Sequence, residues 1–317
     1  MIVSILLVAL GFVGLIYGAN WLVEGASSLA KKNNISDLVI GLTIVAFGTS
    51  APELVVNSVA SMDGFSDIVL GNIIGSNNFN LFIILGIASL VYPVAVQSST
   101  TKGEIPISLF VAVAVLALAN DFLIGPNTSI SRIDAFVLLL FFGGFLYYIF
   151  RQLKTQRPEE IDVSPKSNGK ITLLILVGFA GLVVGGKLVV DNAVTIATDL
   201  GVSQKIIALT IIAAGTSLPE LVTSVVAALK KNSDIAIGNV IGSNIFNLLL
   251  VLPISSLINP IPYNTNFNTD LWILSGGTVF VIIAILTGKS RNISRIQGFL
   301  LLSFYLLYTG YLVSKEL

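Results

Sequence analysis

The sequence predicts an all-α polytopic membrane protein, with ten transmembrane helices arranged as two inverted five-helix repeats. Three observations carry that prediction. Hydrophobic residues make up 55% of the 317-residue chain and charged residues 11%, with a mean hydropathy of +0.93. The chain therefore holds many apolar runs of about twenty residues, the length a helix needs to cross a bilayer. Sliding the chain by 167 positions aligns Ser36–Asn80 with Ser203–Asn247 without a gap, with 26 of 45 pairs identical. Lysine and arginine, finally, gather in alternate loops, as a fixed membrane orientation demands.

Taken in order, the apolar runs place spans near 2–24, 36–62, 67–91, 105–124 and 131–150, then 170–191, 203–229, 234–258, 269–288 and 294–314. No basic segment precedes the first run and no cleavage signal follows it, so it reads as a retained span. Between the fifth and sixth spans lies "RQLKTQRPEEIDVSPKSNGK" (Arg151–Lys170), too short and too polar to fold as a domain. The expected organisation is a first repeat over 1–150, a cytoplasmic linker over 151–170 and a second, inverted repeat over 171–317.

The repeat extends beyond its best-matched block. "GFVGLIYG" from Gly11 faces "GFAGLVVG" from Gly178, and "SRIDAFVLLLFF" from Ser131 faces "SRIQGFLLLSFY" from Ser294. Five spans is an odd number, so the second copy enters the membrane from the opposite side. The loops after odd-numbered spans hold Lys31, Lys32, Lys102, Arg151, Lys154, Arg157, Lys166, Lys170, Lys230, Lys231, Lys289, Arg291 and Arg295. The opposite side holds Arg132, Lys205 and Lys315, and Lys187 falls within a span. The bias places the linker inside and both termini outside a cell membrane. Inverted repeats of this kind build secondary transporters, whose site lies near mid-membrane between the copies.

Composition also excludes chemistry. A net charge of +0 offers no field to recruit nucleic acid. Without cysteine or histidine there is no disulfide, no thiolate or imidazole metal ligand and no Cys or His catalysis. An intramembrane enzyme would need paired aspartates or a Ser/Lys dyad at depth, and the chain reads as no enzyme.

Each repeat carries two motifs: "GTSAPELVVNS" (Gly48–Ser58) or "GTSLPELVTSV" (Gly215–Val225), and "GNIIGSNNFN" (Gly71–Asn80) or "GNVIGSNIFN" (Gly238–Asn247). Ser50 with Glu53, and Ser217 with Glu220, fit a helix capping box with proline in the first turn. An acid at the bilayer centre costs about 2.5–3.5 kcal/mol on insertion scales, and an unbroken helix needs no cap. The better reading is a broken span in which the capping is secondary: it starts a half-helix so that the break can line a site.

Such a break frees carbonyls near Ala46–Thr49 and Ala213–Thr216, and irregular backbone at that depth requires a polar partner. Hydroxyls of Thr49, Ser50, Thr216, Ser217, Ser76 and Ser243 and amide oxygens of Asn80 and Asn247 complete a set of oxygens around two carboxylates. That is a hard-cation set, suited to calcium or sodium; magnesium usually keeps several waters. Gly71, Gly75, Gly238 and Gly242 fit close helix packing, and Asn72 and Asn77 fit backbone hydrogen bonding better than ion binding. Glu24 and Asp191 lie near span ends. Gly14-x-x-x-Gly18 and Gly181-x-x-x-Gly185 give the first and sixth spans smooth faces, for static packing or for sliding.

At these motifs the sequence resembles the cation/calcium exchanger superfamily, in its sodium/calcium exchanger branch, along essentially the whole chain. The resemblance implies a ten-helix antiporter that trades several sodium ions for one calcium by alternating access, as electrogenic calcium efflux. It implies that Glu53 and Glu220 bind calcium with the Thr49 and Thr216 carbonyls. Sodium would use these groups together with Ser50, Ser217, Ser76, Ser243 and the Ala46 and Ala213 carbonyls, and the first and sixth helices would slide across an eight-helix core. Family members often carry aspartate where Asn247 stands, and the loss of that acid leans against potassium co-transport. The short linker holds no regulatory domain. No cofactor is expected beyond the transported ions; the expected partners are the lipid bilayer, calcium and sodium, with no nucleic acid and no obligate protein. Proton/calcium exchange and a cation channel are the alternatives.

Overall fold

The computed structural model describes residues 1–120, 128–155, 167–201, 213–288 and 291–316. The helices are α1 (Ile2–Lys32), α2 (Asp37–Thr49), α3 (Ala51–Met62), α4 (Ser66–Val91), α5 (Ser98–Ala119) and α6 (Arg132–Thr155). They continue with α7 (Asn168–Asp199), α8 (Leu218–Leu229), α9 (Ser233–Ile258), α10 (Phe267–Thr287) and α11 (Arg295–Glu316). Among the described residues seven helices are long and apolar enough to cross a membrane, namely α1, α4, α5, α6, α7, α9 and α10. The pair α2 and α3 makes an eighth when counted as one span bent by 44°. The expected seventh span is described only from residue 213, and its earlier part lies outside the described residues, as does the end of the fourth beyond residue 120.

Two short antiparallel pairings tie the loops together. β1 (Val94–Ala95) pairs with β4 (Asn292–Ile293), and β2 (Ser129–Ile130) pairs with β3 (Ile261–Pro262). Each joins a loop of the first half of the chain to a loop of the second. Turns recur with the sequence: Asn34 and Gly201 have φ of 53° and 78°, and Gly64 and Lys231 have 78° and 57°, each pair 167 positions apart. Left-handed residues here end helices, a role glycine fills without steric cost.

α1 and α7 run to 31 and 32 residues, well past the expected 2–24 and 170–191. At 1.5 Å per residue each is about 47 Å long, more than the ~30 Å hydrocarbon core. Hydropathy marks where apolar residues stop, whereas helical hydrogen bonding continues through the polar segment that follows. The two pack antiparallel, glycine against glycine. A Cβ added at Gly18 would lie 2.8 Å from the Gly178 carbonyl, and one at Gly185 would lie 2.7 Å from the Gly11 carbonyl. The glycine stripes therefore face each other and bring the backbones into contact, which is the packing use of small residues in membranes. Any sliding of the pair over the rest of the bundle uses other faces.

α4 and α9 occupy the centre. α9 is buried almost throughout and α4 nearly so, although both carry asparagines and serines. Peripheral α1, α6 and α7 turn many large apolar side chains outward. Polar residues inside and apolar residues outside is the arrangement lipid requires.

Candidate cation site

The break between α2 and α3 falls at Ser50, and α8 follows Ser217 in the same way, each with proline in the first turn. Pro52 has no N–H, so the Gly48 carbonyl loses its helical donor. The Ala46 carbonyl is not free: it accepts from the Ser50 N–H at 3.0 Å. Ala213 begins a single helical turn, Ala213–Gly215. Neither serine caps its own helix, which corrects the capping-box reading. Instead the hydroxyls cross over: Ser50 Oγ donates to Glu220 Oε1 at 3.0 Å, and Ser217 Oγ to Glu53 Oε1 at 3.4 Å. Each serine lies opposite the other motif's acid, so its hydroxyl bonds a carboxyl oxygen across the bundle instead of its own backbone.

Glu53 and Glu220 are both 0% exposed and close enough to interact electrostatically. The Thr216 and Thr49 side chains lie beside Glu53 and Glu220 respectively. Thr49 Oγ1 donates to Asn239 Oδ1 at 3.0 Å, with the Ala46 carbonyl 3.3 Å away. Ser243 Oγ reaches Glu220 Oε1 at 3.5 Å, whereas Ser76 Oγ lies 3.4 Å from Asn72 Oδ1.

Asn80 and Asn247 arrive from the central helices at unexpected local structure. α4 becomes π-helical over Phe79–Ile84, and α9 over Asn247–Val251. A π turn widens the helix and appears often at functional sites; apolar periodicity gives no sign of it. The amide of Asn80 donates to Asn244 Oδ1 and that of Asn247 to Asn77 Oδ1, both at 3.1 Å. Asn77 and Asn244 in turn exchange side-chain to backbone bonds, at 3.1 Å and 3.2 Å. Four asparagines thus lock α4 to α9 and fix which way the amide oxygens of Asn80 and Asn247 are left. Truncating Asn77 and Asn244 to alanine together is expected to destabilise less than the sum of the two single changes, by about 0.5–3 kcal/mol, in a thermal-unfolding cycle.

Several buried oxygens of the motifs have no hydrogen-bond partner among the described residues. Asn57 Oδ1, Asn78 Oδ1, Thr216 Oγ1 and Thr223 Oγ1 are unmatched across the repeat, whereas Glu53 Oε2 with Glu220 Oε2 and Asn80 Oδ1 with Asn247 Oδ1 are matched. Buried polar atoms without a partner are costly. The two matched pairs are acceptors and include the carboxylates, so the group that would satisfy them is positively charged.

Sequence reasoning missed the residues that hold the acids in place. Asn57 Nδ2 donates to the Glu53 carbonyl at 2.7 Å, and Asn239 Nδ2 to the Glu220 carbonyl at 3.3 Å and Ser224 Oγ at 2.9 Å. Asn57 lies four residues after Glu53 on one helix face, which is the signal that could have found it. Glu24 and Asp191 are exposed, away from these groups.

The family pattern described as sodium/calcium exchanger protein matches residues 3–151 and 170–314, leaving out only the linker and the chain ends. The chain belongs to the sodium/calcium exchanger family. Sodium/calcium exchanger MaX1 of Methanosarcina acetivorans is 34% identical, over 96% of this chain and 97% of its own. Inner membrane protein YrbG of Escherichia coli is 36% identical, over 82% of this chain and 81% of its own. Among solved structures, the sodium-calcium exchanger NCX_Mj soaked with Na+ and Sr2+ superposes with a TM-score of 0.83, at 32% identity, over 96% of this chain and 97% of that one. As a member of this family the chain is a membrane transporter and not an enzyme.

Proposed function

We propose that the chain exchanges sodium for calcium across a cell membrane by alternating access, through one site centred on Glu53 and Glu220. The architecture we propose for it is ten spans in two inverted five-helix repeats, 1–150 and 171–317, joined by an inward-facing linker over 151–170, with both termini outside. The observation that carries the reading is the two repeat-matched pairs of unsatisfied acceptor oxygens, one carboxyl pair and one amide pair. Two carboxylates balance one divalent ion, and the serine, threonine and asparagine oxygens suit ions that accept six or more oxygen ligands. Family membership and the likeness to exchangers of sodium and calcium support these two ions, and give no support to the proton/calcium alternative.

In this reading calcium and sodium compete for Glu53 and Glu220 together with the Thr49 and Thr216 carbonyls. Ser50, Ser217, Ser76, Ser243, Asn80, Asn247 and the Ala46 and Ala213 carbonyls complete the sodium positions. Competition enforces exchange, because a gate that closes only over a neutralised site cannot carry the empty, charged form.

Vesicles loaded with sodium are expected to take up radiolabelled calcium only while the outward sodium gradient lasts. With three sodium ions for each calcium, one positive charge leaves per cycle, so an interior-positive potential accelerates uptake, each 100 mV being worth about 2.3 kcal/mol. Uptake driven by a pH gradient alone, or indifferent to sodium, would overturn the proposal.

A further inference from the structure

The two halves are in different packing states. α1 lies along α8, so Thr223 and Val226 are 0% and 6% exposed, whereas their counterparts 167 positions earlier on α3, Val56 and Val59, are 37% and 52% exposed. Among the described residues α7 makes no comparably extensive contact with α3. At the turn that ends α8, Lys230 Nζ donates to the Asn20 carbonyl of α1 at 3.0 Å. The same shift of 167 turns this pair into Asp63, at the end of α3, and Lys187, on α7. The two turns share their geometry, since the next residues, Gly64 and Lys231, both have positive φ. Asp63 and Lys187 are exposed, and neither takes part in an ion pair among the described residues.

We propose that Asp63 and Lys187 form an ion pair in the opposite access state, in which α7 lies along α3 as α1 now lies along α8 and the Lys230–Asn20 contact is released. This rests on the inverted-repeat exchanger reading above. The present contact sets Lys230 on the Asn20 carbonyl; the proposed one joins opposite charges. It also gives Lys187 a purpose. A lysine inside a span is costly and marks function by default, and its long aliphatic stem lets the ammonium reach a partner at the end of a neighbouring helix. The pair would act on the access states from a position remote from the ions.

The chain has no cysteine, so the test needs no background removal. Asp63→Cys with Lys187→Cys, in the full chain in liposomes with calcium and sodium present, is treated with a short homobifunctional thiol reagent. The expected result is a cross-link between α3 and α7, seen as a gel shift, with at least a tenfold drop in sodium-driven calcium flux relative to the untreated pair. No cross-link, in a protein where Asn20→Cys with Lys230→Cys does cross-link, overturns the proposal, and so does a cross-link that leaves flux unchanged. As a second variant set, Asp63→Lys or Lys187→Asp alone is expected to change the exchange rate by about two- to five-fold, the scale of an exposed ion pair. The double reversal should restore it; failure to restore overturns the pair. Absence of sodium-dependent flux in the unmodified chain would count against the exchanger reading instead; the cross-link itself is read on the gel, and the flux criterion applies where the unmodified chain shows that flux.

Discussion

Glu53→Gln and Glu220→Gln are each expected to lower sodium-driven calcium uptake at least about 100-fold while leaving the chain folded. Glutamine keeps the shape and one acceptor oxygen but removes the charge. Each carboxylate has one oxygen bonded to a serine of the opposite motif and one with no partner among the described residues. Loss of one member of a buried charge pair costs about 3–5 kcal/mol, and 1.4 kcal/mol is a factor of ten in affinity. With the bound ion acting as the partner, neutralising either acid therefore reaches 100-fold or more. In the ion-free state the same change relieves a buried charge, so the thermal midpoint without calcium should hold or rise. Exchange at more than a tenth of the unmodified rate in either variant would remove that residue from the site.

The second large effect is expected at the α1–α7 contact. Gly178→Val should sharply reduce folded protein in the membrane, and Gly178→Ala should lower the thermal midpoint by several degrees. A Cβ on residue 178 would stand 2.7 Å from the Leu22 nitrogen and 2.9 Å from the Gly18 carbonyl, so the obstacle is backbone and cannot rotate away. Overpacking of this kind costs about 1–3 kcal/mol for a small group and more for a branched one. Gly144→Ala is the control, because nothing lies within 4 Å of the position its Cβ would take; its midpoint should hold or rise, since alanine also favours the helix. Equal behaviour of the two alanine variants would mean that α1 and α7 are not held together as described.

Much of this was legible in the sequence because the membrane makes errors expensive. Glu53 and Glu220 stood out since few reasons exist to bury an acid among apolar residues, and the structure places them together with the crossed serines. The helical class and the break at Ser50 followed from hydropathy and from Pro52. Other features were not legible, for identifiable reasons. The π-helical turns at Asn80 and Asn247 leave no trace in apolar periodicity, since both segments are buried on all sides. Capping boxes at Ser50 and Ser217 are locally sound, and a carboxyl partner across the bundle displaced them. The glycine stripes announced close packing, but sequence alone could not say that each stripe packs against the other. The length of α1 and α7 was hidden because polar residues after Glu24 and Asp191 look like the end of a span.

The central claim is that one cluster of oxygens around Glu53 and Glu220 takes both ions. Equilibrium calcium binding to the purified chain, titrated at a series of sodium concentrations, tests it most directly. The account predicts that sodium raises the apparent calcium dissociation constant without changing the number of calcium sites, and that Glu53→Gln and Glu220→Gln each abolish the binding. Calcium binding indifferent to sodium, or intact in either glutamine variant, would contradict it.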